Sequence, residues 1–295
     1  MSEREDVRIF QEQIRQQRKQ VVEDGQLRVR RLLQRTHREI IGTLAVTDWQ
    51  KAFLPRMQLA IEDALARIEG QVSSDLTELQ QANWLLGDTM TTGTVQAMRI
   101  GVALPDLPTS LLQALQQRAG ETVKGLLRIG KVKIDRAVTG ALLGGQTREE
   151  AIKAIGQALE FSERGVKPQG IFPSVDRRAR FIFQHEAGQA FSTAQALRRD
   201  AVVSYAPDLQ KVWVHDGHPL VPRGDHVAMH GTRIKNDEAF VNPFTGHALR
   251  FPRDGQAPIE ETANCTCDVM LYRPAYGDVE SFIGLPTGTP IEEAA

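Results

Sequence analysis

Two histidines and two cysteines are the residues of this chain whose types and spacing could bind a metal. His226 and His230 stand four apart in HVAMHG, a spacing that puts both imidazoles on one face of a helix. Cys265 and Cys267 add two sulfurs, and two imidazoles with two thiolates suit tetrahedral zinc. In zinc peptidases a glutamate follows the first histidine as general base, whereas Val227 stands here. Any zinc held by these four residues is therefore expected to be structural.

The same region allows a second interpretation that needs no metal. Arg223, His226 and Asn264 could form a small hydrogen-bonded core that ties loops together. Gly231 is expected to end the helix early, and Asp225 is expected to cap its start. The sequence leaves the zinc site and the hydrogen-bonded core both open, and it contains no recognisable set of catalytic residues.

The composition describes a chain that can bury a sizeable core. It has 295 residues, 41% of them hydrophobic, which suits one large or two modest domains. Lys plus Arg total 36 and Asp plus Glu total 37, so the average charge gives no reason to expect wholesale binding to DNA or to an anionic membrane. The first residues lack the apolar region of a secretory signal, and no run of about eighteen apolar residues occurs. We expect a soluble, intracellular protein whose cysteines are thiols or metal ligands.

The first part of the chain is predicted to be helical. Residues 1–42 are rich in Arg, Gln and Glu with a thin apolar stripe, which indicates a solvated helical arm that orders on a partner. Residues 43–165 are predicted to form a helical domain, in which Thr147 and Glu150 have the spacing of a capping box. Residues 166–205 are expected to form a linker rich in Gly and Pro and then a connecting helix.

The character of the sequence changes after this helix. Residues 206–275 are predicted to form a compact α+β module, and residues 276–295 an extended acidic tail. Turns rich in Pro, Gly and Asn separate the runs that predict strands, which are 211–215, 232–235, 248–251 and 267–272. The predicted fold class is α+β, with a long, mainly helical N-terminal half followed by a small α+β C-terminal module.

The module and the helix before it contain an ordered set of polar, aromatic and glycine residues. The set begins with RFIFQHE at 180–186 and closes with NCTC at 264–267. Its members are Glu186, Trp213, Asp216, Arg223, His226, Gly231, Pro252, Asp254, Asn264, Cys265 and Cys267. This order resembles the phage Mu protein F-like head morphogenesis family, the minor head proteins of tailed phages. In that family the closing element usually has arginine where Thr266 stands here.

The resemblance implies a minor head (capsid) protein of a tailed phage or prophage, not an enzyme. It would be associated with the portal, act in head assembly, and contribute to DNA packaging or ejection. The implied partners are the portal protein, other head proteins and packaged DNA, with no membrane partner established. The helical half would serve docking and oligomer contacts. The implied location is the virion head near the portal, after assembly in the host cytoplasm.

A second hypothesis comes from a different functional class. The His and Cys cluster could serve a metal-dependent hydrolase or nuclease. The residue after His226 is not a glutamate, and no paired carboxylates stand near it in the sequence, which favours the assembly role.

Overall fold

The computed structural model describes residues 2–46, 54–143, 145–159, 175–216 and 223–284. The fold is α+β and mainly helical, with long helices first and a small sheet near the end, which confirms the predicted fold class. Across these ranges, no helix is both long enough and apolar enough to cross a membrane.

In the described chain, five helices precede the first strand. They are α1 (Glu3–Val46), α2 (Leu54–Ala97), α3 (Thr109–Leu142), α4 (Arg148–Leu159) and α5 (Val175–Val202). Their apolar residues recur every three or four positions, as Met57, Ile61 and Leu65 do in α2, and these side chains are buried. The capping box of α4 is confirmed, because the Glu150 N–H donates to Thr147 Oγ1 at 3.1 Å and the Thr147 N–H donates to Glu150 Oε2 at 2.7 Å.

Short strands and helices make up the rest. The strands are β1 (Gln210–Val214), β2 (Arg233–Lys235), β3 (Phe240–Val241), β4 (Ala248–Leu249) and β5 (Asp268–Tyr272). The helices are α6 (Gly224–Ala228), α7 (Ile259–Thr262) and α8 (Glu280–Ile283), with a 3-10 turn at Pro274–Tyr276. One sheet has the antiparallel order β2-β1-β5, and β3 pairs with β4 in a separate hairpin. Four strands confirm the four predicted runs, while β3 was not predicted.

The chain divides into two compact units. Unit 1 contains Met1–Val21, Gln80–Leu112 and His185–Ala295, and unit 2 contains Val22–Leu79 and Gln113–Gln184. Each unit is built from segments that are far apart in the sequence. The consecutive domains predicted above differ from this division, because a change of composition along the chain does not reveal which distant segments pack together.

The predicted solvated arm at residues 1–42 is not solvated in its first part. Val7 and Ile14 are buried in the apolar core of unit 1. Gln11 is fully buried, and its side-chain amide pairs with the backbone of Leu271. The apolar stripe is thin because polar side chains of α1 are also buried with hydrogen-bond partners, which a count of apolar residues does not register.

The predicted tail at residues 276–295 is not extended in its described part, which ends at Gly284. Phe282 of α8 is buried and packs against the rings of Tyr272 and Tyr276, with centroid distances of 5.4 and 5.6 Å. Phe282, together with Tyr276, Val279 and Ile283, therefore anchors this segment to the core despite its acidic composition. Residues 285–295 lie outside the described part.

The predicted connecting segment at 166–205 is described only from residue 175 onward. Its Gly- and Pro-rich linker lies outside the described residues. The helix that follows, α5, is confirmed, and its residues Phe183 and Phe191 are fully buried.

Two glycines allow close approach inside unit 1. A Cβ at Gly87 of α2 would lie 2.3 Å from the backbone oxygen of Phe191 in α5, closer than any packed carbon. A Cβ at Gly188 would lie 2.6 Å from Nε of Arg253. Gly87 therefore lets two helix backbones touch, and Gly188 makes room on α5 for a buried guanidinium.

Candidate metal centre

The short helix α6 and the turn after it fix the positions of the two predicted histidine ligands. α6 ends at Ala228, and Gly231 follows with φ +80°, the left-handed conformation that favours glycine. The Gly231 N–H donates to the backbone oxygen of Trp213 at 2.9 Å, which ties the turn to β1. Because the helix ends before residue 230, His226 and His230 do not share a helix face.

The two cysteines lie on the segment that enters β5. Asn264, just before them, has φ +52°, a left-handed conformation that asparagine adopts more readily than most residues. The antiparallel pairing of β1 with β5 ends at Val214 and Asp268, and extending this register by one residue puts His215 opposite Cys267. The distance from His215 Nδ1 to Cys267 Sγ is 3.4 Å.

His226, Cys265 and Cys267 form a compact buried cluster. His226 Nδ1 lies 3.6 Å from the Sγ atom of each cysteine, and the three side chains are exposed by only 1%, 3% and 1%. A hydrogen bond with Cys267 lowers the pKa of Cys265, whereas burial raises the pKa of Cys267. Burial opposes a charge on His226, but the hydrogen bond with Cys265 raises its pKa overall. The cluster therefore favours one thiolate beside an imidazole.

Glu261 of α7 lies on the other side of the His226 ring. Its carboxylate is 3.3 Å from His226 Nε2 and 2.8 Å from His247 Nδ1. It also accepts hydrogen bonds from Thr245 Oγ1 at 2.6 Å and Asn242 Nδ2 at 2.9 Å. Burial would raise the pKa of Glu261, but these hydrogen bonds together lower it to about 2. The carboxylate is thus ionised and orients the His226 ring.

Arg223 lies beside the carboxylates that face His226. Its guanidinium is 3.1 Å from Asp225 and 3.6 Å from Glu261, and it donates to the backbone oxygen of Ala263 at 3.4 Å. Burial would raise the pKa of Asp225, but hydrogen bonds from Arg223 and Asn242 lower it to about 2. The predicted capping role of Asp225 is wrong, since the N-cap residue is Arg223 and no side chain caps α6. Asp225 instead pairs with Arg223.

A buried arginine lies next to the cysteines. Arg253 donates to the backbone oxygen of Cys265 at 2.7 Å, to Asp268 Oδ1 at 3.1 Å and to Ser192 Oγ at 3.1 Å. Arg18 of α1 contacts the same Asp268 carboxylate. Burial lowers the pKa of Arg253. Arg253 is therefore paired with Asp268, but it shares this carboxylate with Arg18 and so adds positive charge near the sulfurs.

His230 lies outside the cluster that contains the other three predicted ligands. Its Nδ1 accepts a hydrogen bond from the His215 backbone N–H at 3.0 Å, and its Nε2 lies 2.9 Å from the backbone oxygen of Gly284. The structure thus brings together three of the four residues predicted to share a zinc. His230 connects two loops through backbone groups.

Two residues of the ordered set lie around this cluster. Trp213 is fully buried in β1, and its ring meets that of His226 edge-on at 5.4 Å between centroids. Asp216 lies beyond β1 and pairs with Arg15 at 3.2 Å and Lys19 at 3.3 Å. Trp213 thus packs on a candidate ligand, whereas Asp216 ties the end of β1 to α1.

The remaining three residues of the set, Glu186, Pro252 and Asp254, are also buried. Glu186 lies in α5 and is 4% exposed. Pro252 and Asp254 follow β4, and Asp254 forms an ion pair with Arg250 at 2.7 Å and accepts the Gln256 N–H at 3.1 Å. Asp254 therefore fixes the turn that carries Arg253.

Three residues of this site were not predicted. His215 had a usable signal, because it ends the run KVWVH, and an antiparallel pairing with CDVMLY would have put it opposite Cys267. Glu261 and Arg253 had none, since a Glu in EET and an Arg in a Pro-containing turn look like ordinary surface residues.

Two thiols, two nearby imidazoles and an orienting carboxylate can together hold a divalent metal of the zinc type, or can form a hydrogen-bonded thiolate–imidazole core. No family model, curated protein or solved structure matches this chain. The geometry of the His226, Cys265 and Cys267 cluster is therefore the basis for assigning a function to this chain.

Proposed function

We propose that this chain is a minor head protein of a tailed phage or prophage, associated with the portal and acting in head assembly. The observation that carries the proposal is that residues of the ordered set, although spread over the sequence, meet at one buried cluster. His226 contacts Cys265 and Cys267, Trp213 packs on His226, and Gly231 is tied to Trp213. Because these residues contact one another, they form one structural unit, which supports the resemblance to the family.

The burial of the cluster supports a non-enzymatic role. His226 and both cysteines are almost inaccessible to a substrate, and Val227 cannot act as the general base of a zinc peptidase. A buried centre of this kind stabilises the fold, and contacts with partners would be made by other, exposed parts of the chain. The alternative, a metal-dependent hydrolase or nuclease, would need the cluster to open.

Contacts with the portal and other head proteins are assigned to the helical part of the chain. Unit 2 exposes the apolar side chains of Leu59, Val132 and Leu143, by 58%, 52% and 72%. Exposed aliphatic residues on helices or directly after them suit protein contacts or oligomer contacts better than contacts with DNA. Packaged DNA would lie next to this chain inside the head. The net charge of the chain, -1, gives no general attraction to DNA phosphates.

Cross-linking in assembled heads tests this proposal. The full chain, with a small affinity tag, is produced together with the head genes of its own genome, and the purified heads are treated with an amine cross-linker. We expect the chain in the heads, with cross-links from the exposed unit 2 residues Lys124, Lys133 and Lys153 to the portal protein. Lys235, an exposed lysine of unit 1, is the matched control and should give fewer such links.

Two outcomes would contradict the proposal. Heads that assemble in normal yield without the chain, or that never contain it, exclude a role in assembly. Metal-dependent cleavage of nucleic acid or peptide by the purified chain, lost in His226→Ala, would favour the hydrolase alternative.

A further inference from the structure

We propose that this chain holds a structural zinc ion through His226 Nδ1, Cys265 Sγ, Cys267 Sγ and His215 Nδ1. The ligand set differs from the one that the sequence suggests, since His215 takes the place of His230. The proposal does not depend on head assembly, because it concerns the fold of unit 1 alone.

The distances between the ligand atoms of His226, Cys265 and Cys267 fit a bound zinc ion. A tetrahedral zinc with Zn–S near 2.3 Å and Zn–N near 2.0 Å puts neighbouring sulfur and nitrogen ligands about 3.5 Å apart. His226 Nδ1 is 3.6 Å from each sulfur, and the three ligand atoms lie within 4.8 Å of one another. The close spacing of Cys265 and Cys267 is therefore no obstacle, since both sulfurs already lie at the same distance from His226 Nδ1.

His215 supplies the fourth ligand. Its Nδ1 is 3.4 Å from Cys267 Sγ, but it does not belong to the group of ligand atoms that lie within 4.8 Å of one another, so the His215 ring has to move toward the other three ligands when zinc binds. Its other ring nitrogen, Nε2, is buried and has no hydrogen-bond partner among the described residues, so this movement breaks no hydrogen bond at that nitrogen. His230 is unsuited to this position, because both of its ring nitrogens already bond to the backbone, at His215 and Gly284.

The surroundings of His226 favour a metal on its Nδ1 side. The His226 Nε2–H points at Glu261, the carboxylate–histidine arrangement that orients zinc-binding imidazoles and raises their basicity. A metal on the Nε2 side, between Asp225 and Glu261, would instead have to compete with the Arg223 guanidinium that already pairs with both carboxylates.

The charges also suit a closed Cys2His2 site. Zinc with two thiolates and two neutral imidazoles carries no net charge, which suits a cluster exposed by a few per cent at most. The nearby Arg253 cation shares the Asp268 carboxylate with Arg15 and Arg18, and its remaining positive charge favours the thiolate form of the two cysteines that zinc requires. On binding, zinc displaces the thiol proton to solvent, and each neutral imidazole keeps its one proton on the ring nitrogen that faces away from the metal.

Metal content and cobalt spectra test the site. The full chain is purified under reducing conditions with a tag that does not bind metal, and its zinc is measured by mass spectrometry. We expect one zinc per chain for the unaltered protein and for His230→Gln, the matched control. Cys265→Ser, Cys267→Ser and His226→Gln should lose the metal. Replacing zinc by Co(II) should give the intense visible bands of a tetrahedral site with sulfur-to-cobalt charge transfer.

Two further variants separate the roles of His215 and Glu261. His215→Gln should weaken zinc binding and shift the cobalt bands, because one nitrogen ligand is lost. Glu261→Gln should keep the tetrahedral spectrum but weaken zinc binding about 10- to 100-fold, as expected for an outer carboxylate. Unaltered affinity and spectrum in His215→Gln would overturn its assignment as the fourth ligand.

The unaltered chain provides a test that no misfolded variant can obscure. Chelation should lower its thermal midpoint, and added zinc should restore it. Zinc far below one per chain, with no effect of added zinc or Co(II) on stability or spectrum, would overturn the proposal and leave the hydrogen-bonded thiolate–imidazole core.

Discussion

At the scale of single residues, Lys211 shows how the small sheet accommodates a buried charge. Its ammonium donates to the backbone oxygens of Asn236 and Arg250, each at 2.9 Å, and lies 5.4 Å from the ring centre of Phe240. Burial, and after it the nearby Arg199 cation, lower the pKa of Lys211 to about 8. The charge is thus retained at neutral pH but at a cost to the folded state.

This shift predicts a pH dependence with a definite sign. The ordinary pKa of a lysine side chain is 10.5, so between pH 8 and 10 the unfolded chain binds more protons at Lys211 than the folded chain. The free energy of unfolding of the unaltered protein, relative to Lys211→Met, should therefore rise by up to about 1.4 kcal/mol per pH unit in this window. Urea unfolding of both proteins from pH 7 to 10 measures the difference. A difference that stays constant would contradict the lowered pKa.

At the scale of elements, the contact between α2 and α5 depends on a glycine. Gly87→Ala would put a methyl group 2.3 Å from the Phe191 backbone oxygen, and a backbone atom in a packed helix cannot easily move away. We expect a loss of about 2 kcal/mol in the free energy of unfolding. Gly70→Ala, on the same helix but with nothing within 4 Å, should gain roughly 0.5–1 kcal/mol from helix propensity. Equal effects of the two changes in urea unfolding would contradict the close contact.

Helices and strands are the features of this fold that the sequence predicts best, whereas contacts between them are the features it does not predict. The strands around Trp213 and before Tyr272 were predictable, because alternation and turn residues are local signals. The capping box at Thr147 was predictable for the same reason. The set of residues around His226 was predictable only in part, since a helix that ends before His230 and a strand pairing that brings in His215 both depend on contacts between distant segments.

At the scale of the whole molecule, the first helix stabilises the last strand. β5 is an edge strand of its sheet, and edge strands leave unpaired backbone groups unless something covers them. Gln11 covers β5: its Nε2 donates to the Leu271 oxygen at 3.0 Å, and the Leu271 N–H donates to its Oε1 at 2.7 Å. The side chain thus makes the two hydrogen bonds that a neighbouring strand would make, across 260 residues of sequence.

Two arginines in the first part of α1 also form ion pairs with residues at the ends of β5 and β1. Arg18 contacts Asp268 at the start of β5, and Arg15 contacts Asp216 just after β1. We therefore expect the first 21 residues to resist trimming by protease in the free protein, the opposite of what a solvated arm would do. Rapid trypsin cleavage after Arg15 or Arg18, with the rest of the chain intact, would contradict this arrangement.

Gln11→Ala is the direct test of how α1 supports the sheet. The change leaves the N–H and C=O of Leu271 buried without their partner, and each unsatisfied group costs about 1–3 kcal/mol. We expect a loss of about 3 kcal/mol in the free energy of unfolding, together with faster amide exchange at Leu271. Gln13→Ala is the matched control, because Gln13 is exposed on the same helix and its loss should change stability by less than about 0.5 kcal/mol. If both variants unfold alike and Leu271 stays protected, then the apolar contacts of Val7 and Ile14 and the ion pairs of α1, and not Gln11, hold the first part of α1 in unit 1.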